Sequence, residues 1–120
     1  MVKIILFFCG LLLSSLSFAK HDECYSSKNY DVYIDVHCAE GNVACDRVNY
    51  QGVRKSDGAT IRLKGKTMNR ARTLNFYGYE FKNGVYIYRL YLSHMEPTFQ
   101  IVHKGQILAQ EPIEESACVD

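Results

Sequence analysis

Val48-Asn49-Tyr50-Gln51-Gly52-Val53-Arg54-Lys55-Ser56-Asp57-Gly58-Ala59-Thr60-Ile61-Arg62-Leu63-Lys64-Gly65-Lys66 carries the strongest structural signal in the chain. Asp57-Gly58 separates two runs of alternating polarity and reads as a two-residue hairpin turn, because both central positions of a type I′ turn need positive φ. Pairing Ser56 with Ala59 sets Arg54 opposite Ile61, Gly52 opposite Leu63 and Tyr50 opposite Gly65. Val48, Tyr50, Ile61 and Leu63 then share one face. Asn49, Gln51, Arg62, Lys64 and Lys66 share the other. A slip of one residue would scramble that separation, so turn chemistry and face chemistry agree.

The same logic extends in both directions. Upstream, Val32, Ile34 and Val36 alternate with Tyr33, Asp35 and His37, the period-two pattern of a half-buried strand. Downstream, Asn83-Gly84 reads as a second turn. It pairs Lys82 with Val85, Phe81 with Tyr86, Tyr79 with Tyr88 and Tyr77 with Leu90, and leaves Glu80 and Arg89 as diagonal neighbours on the opposite face. Lys104-Gly105 closes a third hairpin between Thr98–His103 and Gln106–Gln110, with Phe99, Ile101 and Leu108 as its inward set. Helical periodicity is weak. The expectation is therefore an all-β chain, a single antiparallel meander of about seven strands folded into a small sandwich or barrel. The acidic tail from Glu111 to Asp120 shows no strand pattern.

At the N-terminus, Lys3 precedes an apolar run from Ile4 to Leu13. Ser17-Phe18-Ala19 then places small residues at the −3 and −1 positions of a cleavage site. This is the pattern of a secretory signal peptide over residues 1–19, cleaved after Ala19. The apolar run is too short to span a bilayer, which takes about 20 residues. Residues 20–120 form one domain, small enough to benefit from covalent help. Cleavage removes Lys3 and no acid, leaving 13 basic against 13 acidic residues. Such neutrality excludes a general nucleic-acid binder, which needs surplus cations to displace counterions.

Cys24, Cys38, Cys45 and Cys118 remain after cleavage. An even number in an exported chain implies two disulfides, with three possible pairings. Cys38 and Cys45 enclose a short turn-like segment between strands, so their bridge is the first choice. Cys24 and Cys118 pair by elimination, and on the chain-entropy model this long-range bridge stabilises by roughly 4–5 kcal/mol. A metal site built from His21, Cys24, His37, Cys38 and Cys45 has no Cys-x-x-Cys or His-x-x-x-His spacing behind it. No cofactor is implied.

No catalytic signature is present: no Gly-x-Ser-x-Gly elbow, His-Glu-x-x-His or P-loop. His94 and Glu96 flank Met95 before Pro97 and read as solvated loop residues rather than an acid–base pair. A non-enzymatic binding protein is the expectation. Charge placement is the most informative feature. Arg54 to Arg72 holds seven basic residues and one acid, whereas Lys20–Asp46 carries six acids and two bases. Arg62, Lys64 and Lys66 alternate along one strand face, with Arg70 and Arg72 beyond its end. These five are the candidate partner-binding residues, steering an acidic protein. The alternative is an ordinary solvated face, covered by the chain's own acidic ends. The nine tyrosines divide between core and contact surface.

Val48-Asn49-Tyr50-Gln51-Gly52, Ile61-Arg62-Leu63-Lys64-Gly65-Lys66-Thr67 and Phe76-Tyr77-Gly78-Tyr79-Glu80-Phe81-Lys82-Asn83-Gly84 resemble segments of small exported proteins of enteric bacteria. More broadly the chain resembles small periplasmic inhibitors. These include immunity proteins that neutralise type VI secretion effectors attacking peptidoglycan, and the β-barrel inhibitors of c-type lysozyme. The resemblance implies a periplasmic location, no membrane span, and a protein partner, either a toxin or a cell-wall-active enzyme. Binding to peptidoglycan or another glycan is the alternative. The Ser/Lys inhibitory loop of the lysozyme inhibitors has no counterpart here, so no residue role is carried over.

Mass spectrometry of periplasmic material is expected to show a chain starting at Lys20 with no free thiol. Two titratable thiols, or bound zinc, would overturn the disulfide framework.

Overall fold

The computed structural model describes residues 21–93 and 96–118. The expected signal peptide, Lys20 and His94 lie outside the described residues. Nine strands follow one another: β1 (Glu23–Ser26), β2 (Tyr30–Val36), β3 (Val48–Arg54), β4 (Thr60–Asn69), β5 (Phe76–Asn83), β6 (Tyr86–Tyr91), β7 (Thr98–His103), β8 (Gln106–Pro112) and β9 (Glu114–Glu115). All neighbours are antiparallel, in the order β8-β7-β6-β5-β4-β3-β2-β1-β9. The expected meander is thus present, extended by a short strand at each end. The sheet curls into a nearly closed barrel, and its inner faces meet. Tyr30 on β2 touches Phe99 on β7, and Tyr50 on β3 touches Tyr88 on β6.

Closure falls to the acidic tail, which was expected to be irregular. Its first part extends β8, where Pro112 pairs with Thr98, and its second part, β9, pairs with Tyr25 and Ser26 of β1. Ile113, buried between the two, donates its N–H to the Pro97 carbonyl. This strand is built by backbone pairing and by the Cys24–Cys118 bridge, so no side-chain alternation marks it in the sequence. The second bridge, Cys38–Cys45, closes the β2–β3 loop. Both pairings match the expectation, and they fit an oxidising, exported environment. No helix of the described residues is long and apolar enough to cross a membrane.

Inward positions carry the core: Val32 and Ile34, Val48 and Tyr50, Tyr79 and Phe81, Leu90, Phe99 and Ile113. The Tyr50 ring lies against Gly52, where any Cβ would collide with it. Phe81 similarly fills the space above Gly65. The interior is thus packed with aromatic rings, as a small barrel requires.

Two hairpin registers differ from those expected by two residues, and in both the faces survive because the strand period is two. In β3–β4, Tyr50 pairs with Leu63 and Gly52 with Ile61. The Asp57 carboxylate accepts from the Ala59 N–H and the Arg54 guanidinium, and Gly58 N–H bonds the Arg54 carbonyl. Four residues, Lys55 to Gly58, therefore form the loop, closed by Arg54 N–H to Ala59 O at 2.8 Å. In β5–β6 the turn residues are Gly84-Val85, with Gly84 at φ 64°, so Phe81 meets Tyr88 and Glu80 meets Arg89 directly. Glycine first in a two-residue turn is the type II′ pattern. The third hairpin keeps its expected register, with Lys104 and Gly105 at φ 50° and 79°. Leu108 is not inward, however. Ile101 pairs with Ala109 and Val102 with Ile107, so Leu108 is the extra residue of a bulge and is 55 % exposed.

One polar cluster lies inside the barrel. Glu23 on β1 accepts hydrogen bonds from the Tyr25 and Tyr79 hydroxyls, both at 2.7 Å, bridging β1 to β5. Burial, then the bonds to Glu23, push both tyrosines above their ordinary pKa, and burial does the same to Tyr50. The unfolded chain therefore releases these protons at a pH where the folded chain still holds them. Their contribution is full below about pH 10 and is lost progressively as the pH rises from there. The melting temperature should stay level to about pH 9 and then fall. Tyr79→Phe should lower stability at neutral pH by about 1–3 kcal/mol, since it strips a donor from a part-buried carboxylate, and should flatten the alkaline decline. An equally steep decline in this variant would remove Tyr79 from that account.

Candidate partner-binding surface

The ten-residue strand β4 has the burial alternation of a barrel wall, with Arg62, Lys64 and Lys66 exposed and their neighbours half-buried. Arg62 stands opposite Gln51, Lys64 opposite Asn49, and Lys66 opposite Glu80. The three cations therefore form one outward column, as expected. Among the described residues none of the three takes part in an ion pair or side-chain hydrogen bond.

Several of the chain's acids are engaged away from the column. Asp35 bonds His21 at 2.9 Å, Asp22 accepts from the Val36 N–H, and Glu23 takes two tyrosines. Glu111 accepts from the Asn29 main chain and side-chain amide, and Glu114 and Glu115 pair with β1 through their main chain, with exposed side chains. The tail thus runs along the β1 seam, not across β4. Three acids do flank the column. Asp35 shares a groove with Arg62 and Lys64, and Asp46 shares another with Lys64, Lys66 and Glu80. Glu80 itself is bonded by Arg89 at 2.9 Å, both side chains being largely buried.

The other cations of the basic segment separate into two groups. Arg54 is held by Asp57, whose carboxyl is lowered to about 2 by that guanidinium and by the Ala59 N–H. Lys55 reaches Ser26 Oγ, the Ser27 carbonyl and Asp31. Both serve loop closure. Arg70 and Arg72 lie beyond the end of β4, in a turn closed by Arg70 N–H to Asn75 O and Leu74 N–H to Arg70 O. The Arg70 guanidinium sits 4.8 Å from the centre of the Tyr77 ring.

That turn is fastened to the disulfide loop. Thr67 N–H donates to the Cys45 carbonyl, and Cys45 N–H donates to Thr67 Oγ1. The Asn69 amide donates to the Val43 and Leu74 carbonyls. Val43 and Leu74, 55 % and 52 % exposed, thereby stand on adjoining loops next to the end of the basic column. Reasoning from periodicity missed them, since a loop residue has no alternation to mark it. Between column and turn lies a cleft of about 560 Å³, lined by Lys66, Asn69, Tyr77, Glu80, Arg89 and Tyr91 among others. Tyr77 and Tyr91 stack with centroids 6.5 Å apart. Alternation assigns the two rings to opposite faces. The irregularity in the β4–β5 pairing, which passes from Met68–Gly78 to Asn69–Phe76, leaves Tyr77 unpaired in that ladder and brings it beside Tyr91.

Among the described residues no group of three or more His, Cys, Asp or Glu is placed to hold a metal ion. The four cysteines are all bridged, so none of these thiols is available as a ligand or nucleophile. No family model, curated protein or solved structure matches the chain.

The combined change Arg62→Glu, Lys64→Glu and Lys66→Glu removes no partnered group, so thermal denaturation should shift by no more than about 0.5 kcal/mol per site. Arg89→Ala leaves Glu80 part-buried and unpaired and should cost about 1–3 kcal/mol. The reverse ranking would mean that the column is bound by its own chain.

Proposed function

We propose that this chain is a periplasmic binding protein of the inhibitor kind, and most concretely an immunity protein that occludes a secreted, peptidoglycan-active effector. The observation that carries the reading is the exposed Arg62/Lys64/Lys66 column on one strand, which makes no ion pair among the described residues. At its end the apolar tips Val43 and Leu74 are held in place by Asn69. A barrel with a packed interior binds on its outside. A preorganised outer surface reduces the ordering cost of association. Exposed cations steer an acidic partner, such as the carboxylate-lined cleft of a glycan-cleaving enzyme, and desolvated apolar tips supply affinity at the centre of contact. Arg70 and Arg72 extend the positive rim around those tips. The same surface suits an inhibitor of c-type lysozyme.

A second reading rests on the cleft between β4 and β6. Two tyrosine rings beside Lys66 and Arg89 suit an anionic glycan, and sedimentation with purified sacculi separates that reading from the first.

The test is capture and inhibition of peptidoglycan-active effectors and lysozymes by the purified domain. The triple Glu variant should bind such a partner with a slower association rate, and added salt should weaken the wild type more than the variant. Failure to capture or inhibit any such enzyme would count decisively against the proposal. An unchanged association rate in the triple variant would move the interface off β4.

A further inference from the structure

A further cation joins the basic column from the neighbouring strand. Lys82 on β5 is exposed and makes no ion pair or side-chain hydrogen bond among the described residues. With Lys64 and Lys66 it lines a groove of about 330 Å³ along β4 and β5. Alternation along β4 could not mark Lys82, because it belongs to a different strand.

The register brings like charges together. Gly65 pairs with Phe81, and the next step along the two strands is Lys64 and Lys82. On its other side Lys64 faces Asn49. No acid therefore stands across from Lys64 in either direction. Lys66 does face Glu80, but Arg89 bonds that carboxylate at 2.9 Å. Like charges directly opposite are destabilising, so Lys64 and Lys82 form a pair that an added anion relieves. Lys64 and Lys66 leave their strand about 7 Å apart. Ammonium groups on flexible stems can close on one small anion from such positions.

Besides Glu80, the chain's own carboxylate on this groove is Asp46. It is exposed and makes no ion pair among the described residues. Asp46 follows Cys45 in the β2–β3 loop, and the same loop carries the exposed apolar tip Val43.

We infer that this groove seats a side-chain carboxylate of an acidic protein partner. Lys64, Lys66 and Lys82 hold it, and Asp46 competes for the same cations and so sets the affinity. The inference rests on the binding role proposed for β4 and names one contact of it. Charge complementarity selects an anion. The adjoining apolar tip selects a protein, which offers carboxylates and apolar side chains on one surface, over a free ion.

A tri-aspartate peptide with blocked ends is the probe, titrated at low ionic strength into the isotope-labelled chain from Lys20. Amide resonances should move at Lys64, Lys66 and Lys82. Lys82→Gln should weaken binding about two- to fivefold, the worth of one exposed ion pair. Asp46→Asn should tighten it by a similar factor, since a competing charge is gone. Lys104→Gln, at an exposed lysine on the β7–β8 turn, should leave it unchanged. All three positions are exposed, so melting temperatures should stay level. No movement at millimolar peptide would overturn the inference. So would an equal loss in Lys104→Gln, unchanged or weaker binding in Asp46→Asn, or tighter binding of inorganic phosphate than of the peptide. An effector captured equally well by the wild type and by Lys82→Gln would sink the groove and leave the proposed function standing. Peptide binding in the expected pattern, with no effector captured, would do the reverse.

Discussion

The barrel depends on one constraint: its last segment must serve two neighbours. Residues Gln106–Pro112 hydrogen-bond to β7, and Glu114–Glu115 to β1, with Ile113 sunk into the core between them. Two paired residues are a short ladder. The Cys24–Cys118 bridge, Ser116 N–H on the Cys24 carbonyl, and Asn29 on Glu111 reinforce it. Without that handover the sheet would be an open curl with Phe99 and Tyr30 facing water, and the inner aromatic packing would lose one of its walls. A domain of this size has little core to spare.

The same allocation explains the basic column. In a near-neutral chain, cations are expected to find anions. Here several acids are held by structural duties: Glu23 by the Tyr25 and Tyr79 hydroxyls, Asp22 by the Val36 N–H, Asp35 on β2 by His21, Asp57 in a loop, and Glu111 by Asn29. What is left on β4 is positive charge that makes no ion pair among the described residues, on a strand whose inner face is anchored by Ile61 and Leu63. Exposed lysines held on a fixed backbone suit the long-range part of recognition more than tight contact, which falls to the apolar tips at Val43 and Leu74.

Much of this was legible in the sequence, for a definite reason. Alternation reports the faces of a strand, so Val32/Ile34, Val48/Tyr50 and Arg62/Lys64/Lys66 were assigned correctly even where the partners across the ladder were not. Dipeptide turn signals report position only to within the turn type. Asp57-Gly58 became the end of a four-residue loop because the Asp57 side chain bonds main chain and Arg54 together, and Asn83-Gly84 gave way to Gly84-Val85. Leu108 was misassigned because a bulge breaks the period without changing the composition. The tail strand left no trace, since its pairing is carried by backbone and disulfide. In the candidate surface, the three strand cations were readable, whereas Val43 and Leu74 meet only through the Asn69 amide, a contact without a pattern in sequence.

The split final strand also orders events in time. Synthesis runs from the N-terminus, so β1 and Cys24 exist long before their distant partners, the bridge spanning 94 positions. The six hairpins from β2 to β8 can zip locally as they emerge, each closing a short loop. The β1–β9 contact must wait for the whole chain and closes the largest loop in the molecule, and non-local closure of this kind is the slow step in β topologies. Until then the nascent sheet has two open flanks. A chain lacking β9 and Cys118 cannot close the barrel, so closure is the last step of the fold.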